Sequence, residues 1–87
     1  MKPANQHQQV LYYLNLFDYA FSLKEVINDS MFYKFQSRLG EIEDVHGKIC
    51  NRTRIKFTNQ FGNKSSYTEY VRCVTKDRLK ELFNLYK

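Results

Sequence analysis

The sequence contains no tryptophan, one proline and only three glycines in 87 residues. Because proline and glycine are the strongest breakers of helices and strands, we expect no linker or low-complexity segment and a single domain. Charged residues interrupt every apolar run before the roughly 20 residues that a membrane-spanning helix needs, so no membrane association is predicted. The stretch from Met1 to Gln9 is polar and does not resemble a secretory signal, which predicts a cytoplasmic protein.

Cysteine is equally scarce, with Cys50 and Cys73 alone. In an intracellular protein such residues are expected to stay reduced. Neither His46 nor Cys50 has a second ligand pair at the spacing typical of zinc sites, so we predict no metal. A glycine-rich phosphate loop, a nucleophile elbow and a His–carboxylate pair are also missing, and we predict neither enzymatic activity nor a cofactor.

Aromatic and basic side chains are what the chain has in abundance. Seven Tyr and seven Phe supply the apolar surface for a core, since each large ring buries about 150–250 Å². Fourteen Lys and Arg against nine Asp and Glu give a formal net charge of +5. A small basic protein of this kind is a candidate for nucleic-acid binding, depending on where the charges lie.

The first half of the chain is predicted to be helical. Apolar residues at helical spacing predict a first helix over about 5–17. Ser22-Leu23-Lys24-Glu25 is a capping box that opens a second helix to about Asn28. Asn28-Asp29-Ser30 is predicted to be a turn, in which Asp29 or Ser30 caps a third helix running to about Asp44. The third helix is expected to turn four apolar residues to the core: Phe32, Phe35, Leu39 and Ile42.

The second half is predicted to be a hairpin followed by a helix. Residues 51–58 alternate as a half-buried strand does, and we expect the basic face, with Arg52, Arg54 and Lys56, to look outward. A loop around Gly62 leads to a second strand from about Ser66 to Cys73. Thr75 is predicted to cap a last helix. The apolar stripe of that helix consists of Leu79, Leu82, Phe83 and Tyr86.

These segments resemble a family of small phage and prophage-encoded helix-turn-helix proteins with a winged-helix fold. The similar positions are Lys34, Phe35, Arg38, Leu39, Glu41 and Ile42 in the third helix, and the Asn-x-Phe-Gly-x-Lys hairpin tip over 59–64. The resemblance covers roughly residues 10–72. It implies an α+β winged helix-turn-helix in one domain, 1–87, with a three-helix core and a β-hairpin wing over about 5–73. An additional C-terminal helix over about 75–86 extends past the family's core.

The resemblance implies a DNA-binding regulator, acting on transcription, or a recombination accessory factor of a phage or other mobile element. In a winged helix the N-terminal half of the third helix enters the major groove, while the wing reaches phosphates or the minor groove. The predicted partner is double-stranded DNA. The predicted contacts are Tyr33, Lys34, Ser37, Arg38, Arg52, Arg54, Lys56, Asn59, Gln60, Asn63 and Lys64.

Each of these contacts has a structural alternative. For Tyr33, Lys34, Ser37 and Arg38 it is the solvated face of a core helix. Arg38 lies three residues before Glu41, a spacing at which the two pair on a helix surface. Asn59, Gln60 and Asn63 are common turn formers. A basic strand also protects a sheet edge from aggregation. The acidic end of the third helix is expected to point away from the duplex, and this expectation fails if acidic and basic residues share one face.

A second function remains open, in which the same scaffold is a protein-interaction or assembly module without nucleic acid. Its support is the stripe of the last helix, which would dock a partner or a second copy in a homodimer, or else pack on its own core. DNA binding requires Lys34, Arg38, Arg54 and Lys64 on one continuous surface. An interaction module requires a sizeable exposed apolar patch instead.

Overall fold

The fold combines four helices with a three-stranded antiparallel sheet. It was obtained as a computed structural model that describes residues 1–87. The elements are α1 (Gln6–Leu16), β1 (Phe21–Ser22), α2 (Leu23–Ser30), α3 (Phe35–His46), β2 (Cys50–Thr58), β3 (Lys64–Arg72) and α4 (Lys76–Leu85). The sheet order is β1-β3-β2, and this confirms the α+β class. None of the four helices combines the length and apolar character needed to cross a membrane.

Helix α1 begins and ends within one residue of its predicted bounds. The Asn5 side chain caps it by accepting a hydrogen bond from the Gln8 amide at 2.8 Å. Val10, Leu11 and Leu14 recur on one face and are fully buried. The helix forms where local signals predict it, because the cap and the apolar stripe lie within the segment itself.

Helix α2 opens with the predicted capping box, in which the Ser22 amide donates to the Glu25 carboxylate at 2.8 Å. The predicted turn at Asn28-Asp29-Ser30 is wrong, because these residues form the last turn of α2. The hydroxyl of Tyr13 lies 2.6 Å from both Asp29 and Ser30. The two side chains therefore tie α2 to α1 and do not cap the next helix.

The connection between α2 and α3 follows Met31, whose φ of 55° ends α2 in the left-handed region. Helix α3 begins only at Phe35, with Lys34 at its N-cap position and no side-chain cap. Phe35, Leu39 and Ile42 are fully buried, as predicted. Phe32 is also buried, but it precedes the helix. Tyr33 and Lys34 therefore lie in the connection and not on the helix.

Strands β2 and β3 pair in antiparallel register from Cys50↔Arg72 to Thr58↔Lys64. The alternation of β2 is as predicted, but the expectation that its basic face looks outward is wrong. Directly paired residues share a face of the sheet, and Arg52 pairs with Tyr70. The ring of Tyr70 is buried and lies 5.3 Å from that of Phe35. The basic face is therefore the inner face, on the same side as α3, and it stays accessible where the hairpin extends beyond the core.

Helix α4 packs against α1, and its apolar stripe is part of the chain's own core. Leu79 and Leu82 are fully buried and Phe83 is 8% exposed. The Gln8 side chain donates to the Phe83 carbonyl at 3.1 Å, and the Tyr86 ring stacks on His7 at 4.9 Å. The side chains proposed to dock a partner are thus already covered within the chain.

Candidate nucleic-acid interface

Positive charge is concentrated in the hairpin and the segment that leads to it. Between Asp44 and Glu69 the sequence contains no acidic residue. The same interval contains five basic residues: Lys48, Arg52, Arg54, Lys56 and Lys64. An unbroken basic interval produces a positive potential that neighbouring carboxylates do not cancel.

Three of these cations lie on one face of the hairpin. Arg54 pairs with Thr68, Lys56 with Ser66, and Lys64 with Thr58, and all of these positions share a face with Tyr70. The Arg54 Nε donates to the Ser66 hydroxyl at 3.2 Å, which supports this shared orientation. None of the three forms an ion pair. We call Arg54, Lys56 and Lys64 the basic hairpin face.

Arg52 lies at the base of the same face but is engaged by α3. It forms an ion pair with Glu43 at 2.6 Å, and its guanidinium lies 5.9 Å from the centre of the Tyr70 ring. Burial raises the pKa of Glu43, but hydrogen bonds from Arg52 and the Ile49 amide outweigh it and leave the pKa below its ordinary value. Arg52 therefore fastens the hairpin to α3 and is not free for a phosphate.

Arg38 is engaged in the same way on the other side of α3. Its guanidinium contacts both oxygens of Glu41, at 2.8 and 2.7 Å, and its Nε donates to Gln6 at 2.8 Å. His7 also lies 3.1 Å from Glu41. Hydrogen bonding from Arg38 holds the pKa of Glu41 below its ordinary value. Basic and acidic residues therefore share one face of α3, and the expectation that the acidic end of this helix points away from the basic contacts is wrong.

The two flanks of α3 face different elements. Successive helical residues are about 100° apart around the axis, so Gln36 and Glu43 lie on one flank and Arg38 and Glu41 on the other. The first pair contacts the sheet, through Tyr70 and Arg52. The second pair contacts α1, through Gln6 and His7. The face between the flanks, directed away from the core, contains Ser37, Gly40 and Asp44.

The basic residues among the predicted contacts therefore lie in two places, on the hairpin and on the α1 side of α3. Lys34 and Tyr33 are exposed and line a shallow depression with Gln6 and Gln9 of α1. Lys34 forms no ion pair. The structure brings Arg54, Lys56 and Lys64 together on the hairpin, and it leaves Lys34 and Arg38 on the α1 side of α3. The expectation that Lys34, Arg38, Arg54 and Lys64 form one continuous surface is therefore wrong.

The hairpin tip is a hydrogen-bonded loop. The Asn59 side chain accepts from the amides of Phe61 and Asn63, at 2.9 and 3.0 Å, and Gly62 has a φ of 81°. Asn59 is therefore a turn-forming residue, whereas the side chains of Gln60 and Asn63 are exposed. The loop also presents Phe61, which is 78% exposed.

Three residues near the basic hairpin face were missed by the sequence reasoning: Lys24, Gln36 and Phe61. Lys24 and Gln36 line a cleft of about 530 Å³ between the N-terminus of α2, α3 and the hairpin. The Gln36 amide donates to the Tyr70 hydroxyl at 2.5 Å. No local signal marks Lys24 or Gln36, since both are ordinary polar helix residues. Phe61 has one signal, because it is a large aromatic residue in a loop of turn formers.

The remaining titratable groups include two cysteines and no cluster of metal-binding side chains. Cys50 and Cys73 are free thiols, the first buried and the second exposed. Burial raises the pKa of Cys50 to about 11, so this thiol is protonated at neutral pH. No group of three or more His, Cys, Asp or Glu side chains is placed to hold a metal ion.

No protein-family model, curated protein or solved structure matches the chain.

Proposed function

We propose that the chain is a winged-helix protein that binds double-stranded DNA through the basic hairpin face and the outward face of α3. The element order supports this proposal. Along the chain α1 is followed by the short β1, then by α2 and α3, and then by the long β2–β3 hairpin, and β1 pairs with β3 in the sheet. In a winged helix the third helix lies in the major groove and the hairpin is the wing.

The observation that carries the proposal is the basic hairpin face. Arg54, Lys56 and Lys64 share one side of the sheet with no carboxylate partner. Arg54 and Lys56 are two strand residues apart, which separates them by about 7 Å. Unpaired cations on an exposed strand are free to exchange counterions for phosphates, and this exchange supplies most non-specific DNA affinity.

Two of the three carboxylates at the acidic end of α3 are neutralised by ion pairs within the chain. Glu41 pairs with Arg38, and Glu43 pairs with Arg52. Only Asp44 keeps an uncompensated charge on that part of the helix. The outward face nearer the N-terminus contains Ser37 and Gly40, whose small side chains allow a close approach of the helix to a groove.

The test is a fluorescence-anisotropy titration of a labelled random-sequence duplex at 50 and 200 mM salt. Each lost phosphate contact reduces the slope of log K against log[salt] by about 0.9. Replacing Arg54, Lys56 and Lys64 together by Ala is therefore expected to reduce the slope by about 2.7. The matched control replaces three exposed lysines with no ion pair that lie away from the hairpin: Lys2, Lys80 and Lys87.

The proposal predicts that the control binds with nearly the wild-type slope. Absence of wild-type binding at 50 mM salt would refute DNA binding itself. A hairpin variant that binds with the wild-type slope would refute the assigned surface. A role as a regulator or recombination accessory factor of a mobile element follows from the family resemblance, and recovery of one preferred site from a random-duplex selection would support it.

The interaction-module alternative loses its original support, since the α4 stripe is buried in the core. Two exposed aromatic side chains lie instead on the outer face of the hairpin, Phe57 at 44% and Tyr67 at 43% exposure.

A further inference from the structure

One edge of β3 is open over more than half of the strand. β1 pairs with β3 only at Tyr70 and Glu69, because the chain turns into α2 at Leu23. From Lys64 to Thr68 this edge has no neighbouring strand, since the sheet consists of β1, β3 and β2 only. An open edge is a template for another extended chain.

The backbone of β3 directs hydrogen-bonding groups into this opening. At the two ends of the hairpin, the backbone amide of Asn59 donates to the Asn63 carbonyl at 2.9 Å, and the backbone amide of Cys73 donates to the Ile49 carbonyl at 3.0 Å. In an antiparallel ladder hydrogen-bonded pairs alternate with non-hydrogen-bonded pairs. The odd-numbered residues of β3 therefore bond to β2, and the even-numbered ones point to the other edge. Tyr70 meets β1 there, while the amides and carbonyls of Lys64 and Ser66 face the open side.

The two edges of the hairpin differ in their protection. Strand β2 lies at the other edge of the sheet, and its residues on the side of Tyr70 are basic: Arg52, Arg54 and Lys56. Charged side chains on an edge strand discourage pairing with another strand. The corresponding part of β3, Ser65-Ser66-Tyr67-Thr68, is uncharged. The absence of such protection on one edge alone marks that edge as the one suited to a partner.

The cleft of about 530 Å³ lies directly beside this edge and contains an apolar wall. Leu23, Phe57 and Tyr67 line it, and the rings of Phe57 and Tyr67 are 5.9 Å apart. Phe57 and Tyr67 are each more than two-fifths exposed, at 44% and 43%. Lys24 lines the same cleft and forms no ion pair.

We infer that this edge and cleft bind an extended segment of a partner protein in which acidic and apolar side chains alternate. The segment adds to β3 as an antiparallel strand and continues the line of β1. Side chains of a strand alternate between faces. One set of the partner's side chains therefore lies beside Tyr67, and the other set lies beside Lys64. The apolar cleft wall suits the first set, and the unpaired Lys24 and Lys64 make carboxylates the complementary charge for the second. The inference does not rest on DNA binding, although Lys64 belongs to both surfaces.

The probe is the blocked peptide acetyl-Glu-Val-Glu-Val-Glu-Val-amide, titrated into the ¹⁵N-labelled chain and followed by the amide resonances of Lys64 and Ser66. Ser66→Pro removes an amide that the β2–β3 ladder does not use, and proline is tolerated at such edge positions. Loss of this one hydrogen bond is expected to weaken binding about tenfold. The matched control, Ser66→Ala, keeps the amide and is expected to bind as the wild type does.

Several results would overturn the inference. One is that the peptide does not shift the amide resonances of Lys64 and Ser66. Another is that the Ser66→Pro and Ser66→Ala variants bind the peptide with equal affinity. Should the Pro variant not fold, a probe N-methylated at every residue must fail to bind the wild type. Edge shifts that depend on protein concentration without the probe would assign the edge to a second copy. Shifts produced only by a DNA duplex would assign it to nucleic acid.

Discussion

Replacing Gly40 by Ala is expected to stabilise the protein. Gly40 lies in the interior of α3, between Phe35 and His46. Glycine in a helix interior costs about 0.8–1.0 kcal/mol relative to Ala, because its unfolded backbone has more freedom to lose. A Cβ built at Gly40 meets nothing within 4 Å. No steric term therefore opposes the gain, and the free energy of unfolding should rise by about 1 kcal/mol.

For a domain of this size such a change raises Tm by about 4–8 °C. Thermal unfolding followed by circular dichroism measures the shift in Tm. Urea unfolding checks the free energy of unfolding, provided that its dependence on urea concentration is the same for variant and wild type. Gly47→Ala and Gly62→Ala are matched controls, since a Cβ at either position also meets nothing within 4 Å. Their φ values are 85° and 81°, so Ala is strained there by about 1–3 kcal/mol and Tm should fall.

The three substitutions separate backbone conformation from packing, because the added methyl group is sterically free at all three positions. A Tm for Gly40→Ala at or below the wild-type value would refute the reasoning, since it would mean that α3 is not a regular helix at this point. The same variant bears on function. Gly40 lies on the outward face, so lower DNA affinity in a more stable protein is expected if the helix backbone closely approaches the duplex.

Three further predictions concern separate parts of the molecule. In the folded protein a thiol reagent at neutral pH should modify Cys73 and leave Cys50, which is buried and protonated, and both should react in denaturant. The pKa of Glu43 lies below its ordinary value of 4.5. The contribution of this carboxylate to stability is therefore present above pH 4.5 and is lost as the pH falls through the pKa of the folded state. Glu43→Gln should reduce the loss of stability in acid, and an unchanged loss would contradict the role of the pair with Arg52. Phe61→Ala should leave the free energy of unfolding within about 0.5 kcal/mol of wild type, because the side chain is exposed, and should weaken duplex binding if the tip enters a groove.

The helices were predictable where their signals are local. The Asn5 cap and apolar stripe of α1, the capping box before α2 and the Thr75 cap of α4 all lie within a few residues of the helix that they define. Interactions between neighbours in sequence form in any fold that contains the segment. Prediction of these elements therefore needs no knowledge of the partner elements.

The connection between α2 and α3 could not be predicted from local signals. Asp29 and Ser30 are good turn and cap residues, and nothing nearby distinguishes that role from a helical one. The deciding contact comes from Tyr13, sixteen residues before Asp29. A hydrogen bond between two helices exists only after they have packed, so a pattern read along one segment does not contain it.

The candidate site shows the same division. The sequence contains the basic residues of the hairpin and their alternation on β2. It does not contain the pairing of Arg52 with Tyr70, which makes their face the inner one. The spacing of Arg38 and Glu41 indicated their pair, but the sequence does not show that Glu43 holds Arg52 while Arg54, Lys56 and Lys64 have no carboxylate partner.

The sequence by itself determined the helical and strand periods, the caps of α1, α2 and α4 and the total charge, because each depends on neighbours along the chain. The tertiary structure alone decided which face of the hairpin meets the core, which cations remain unpaired and that α4 closes over α1. Each of these outcomes depends on contacts between residues far apart in sequence. Such contacts form only when several elements bury their apolar faces together.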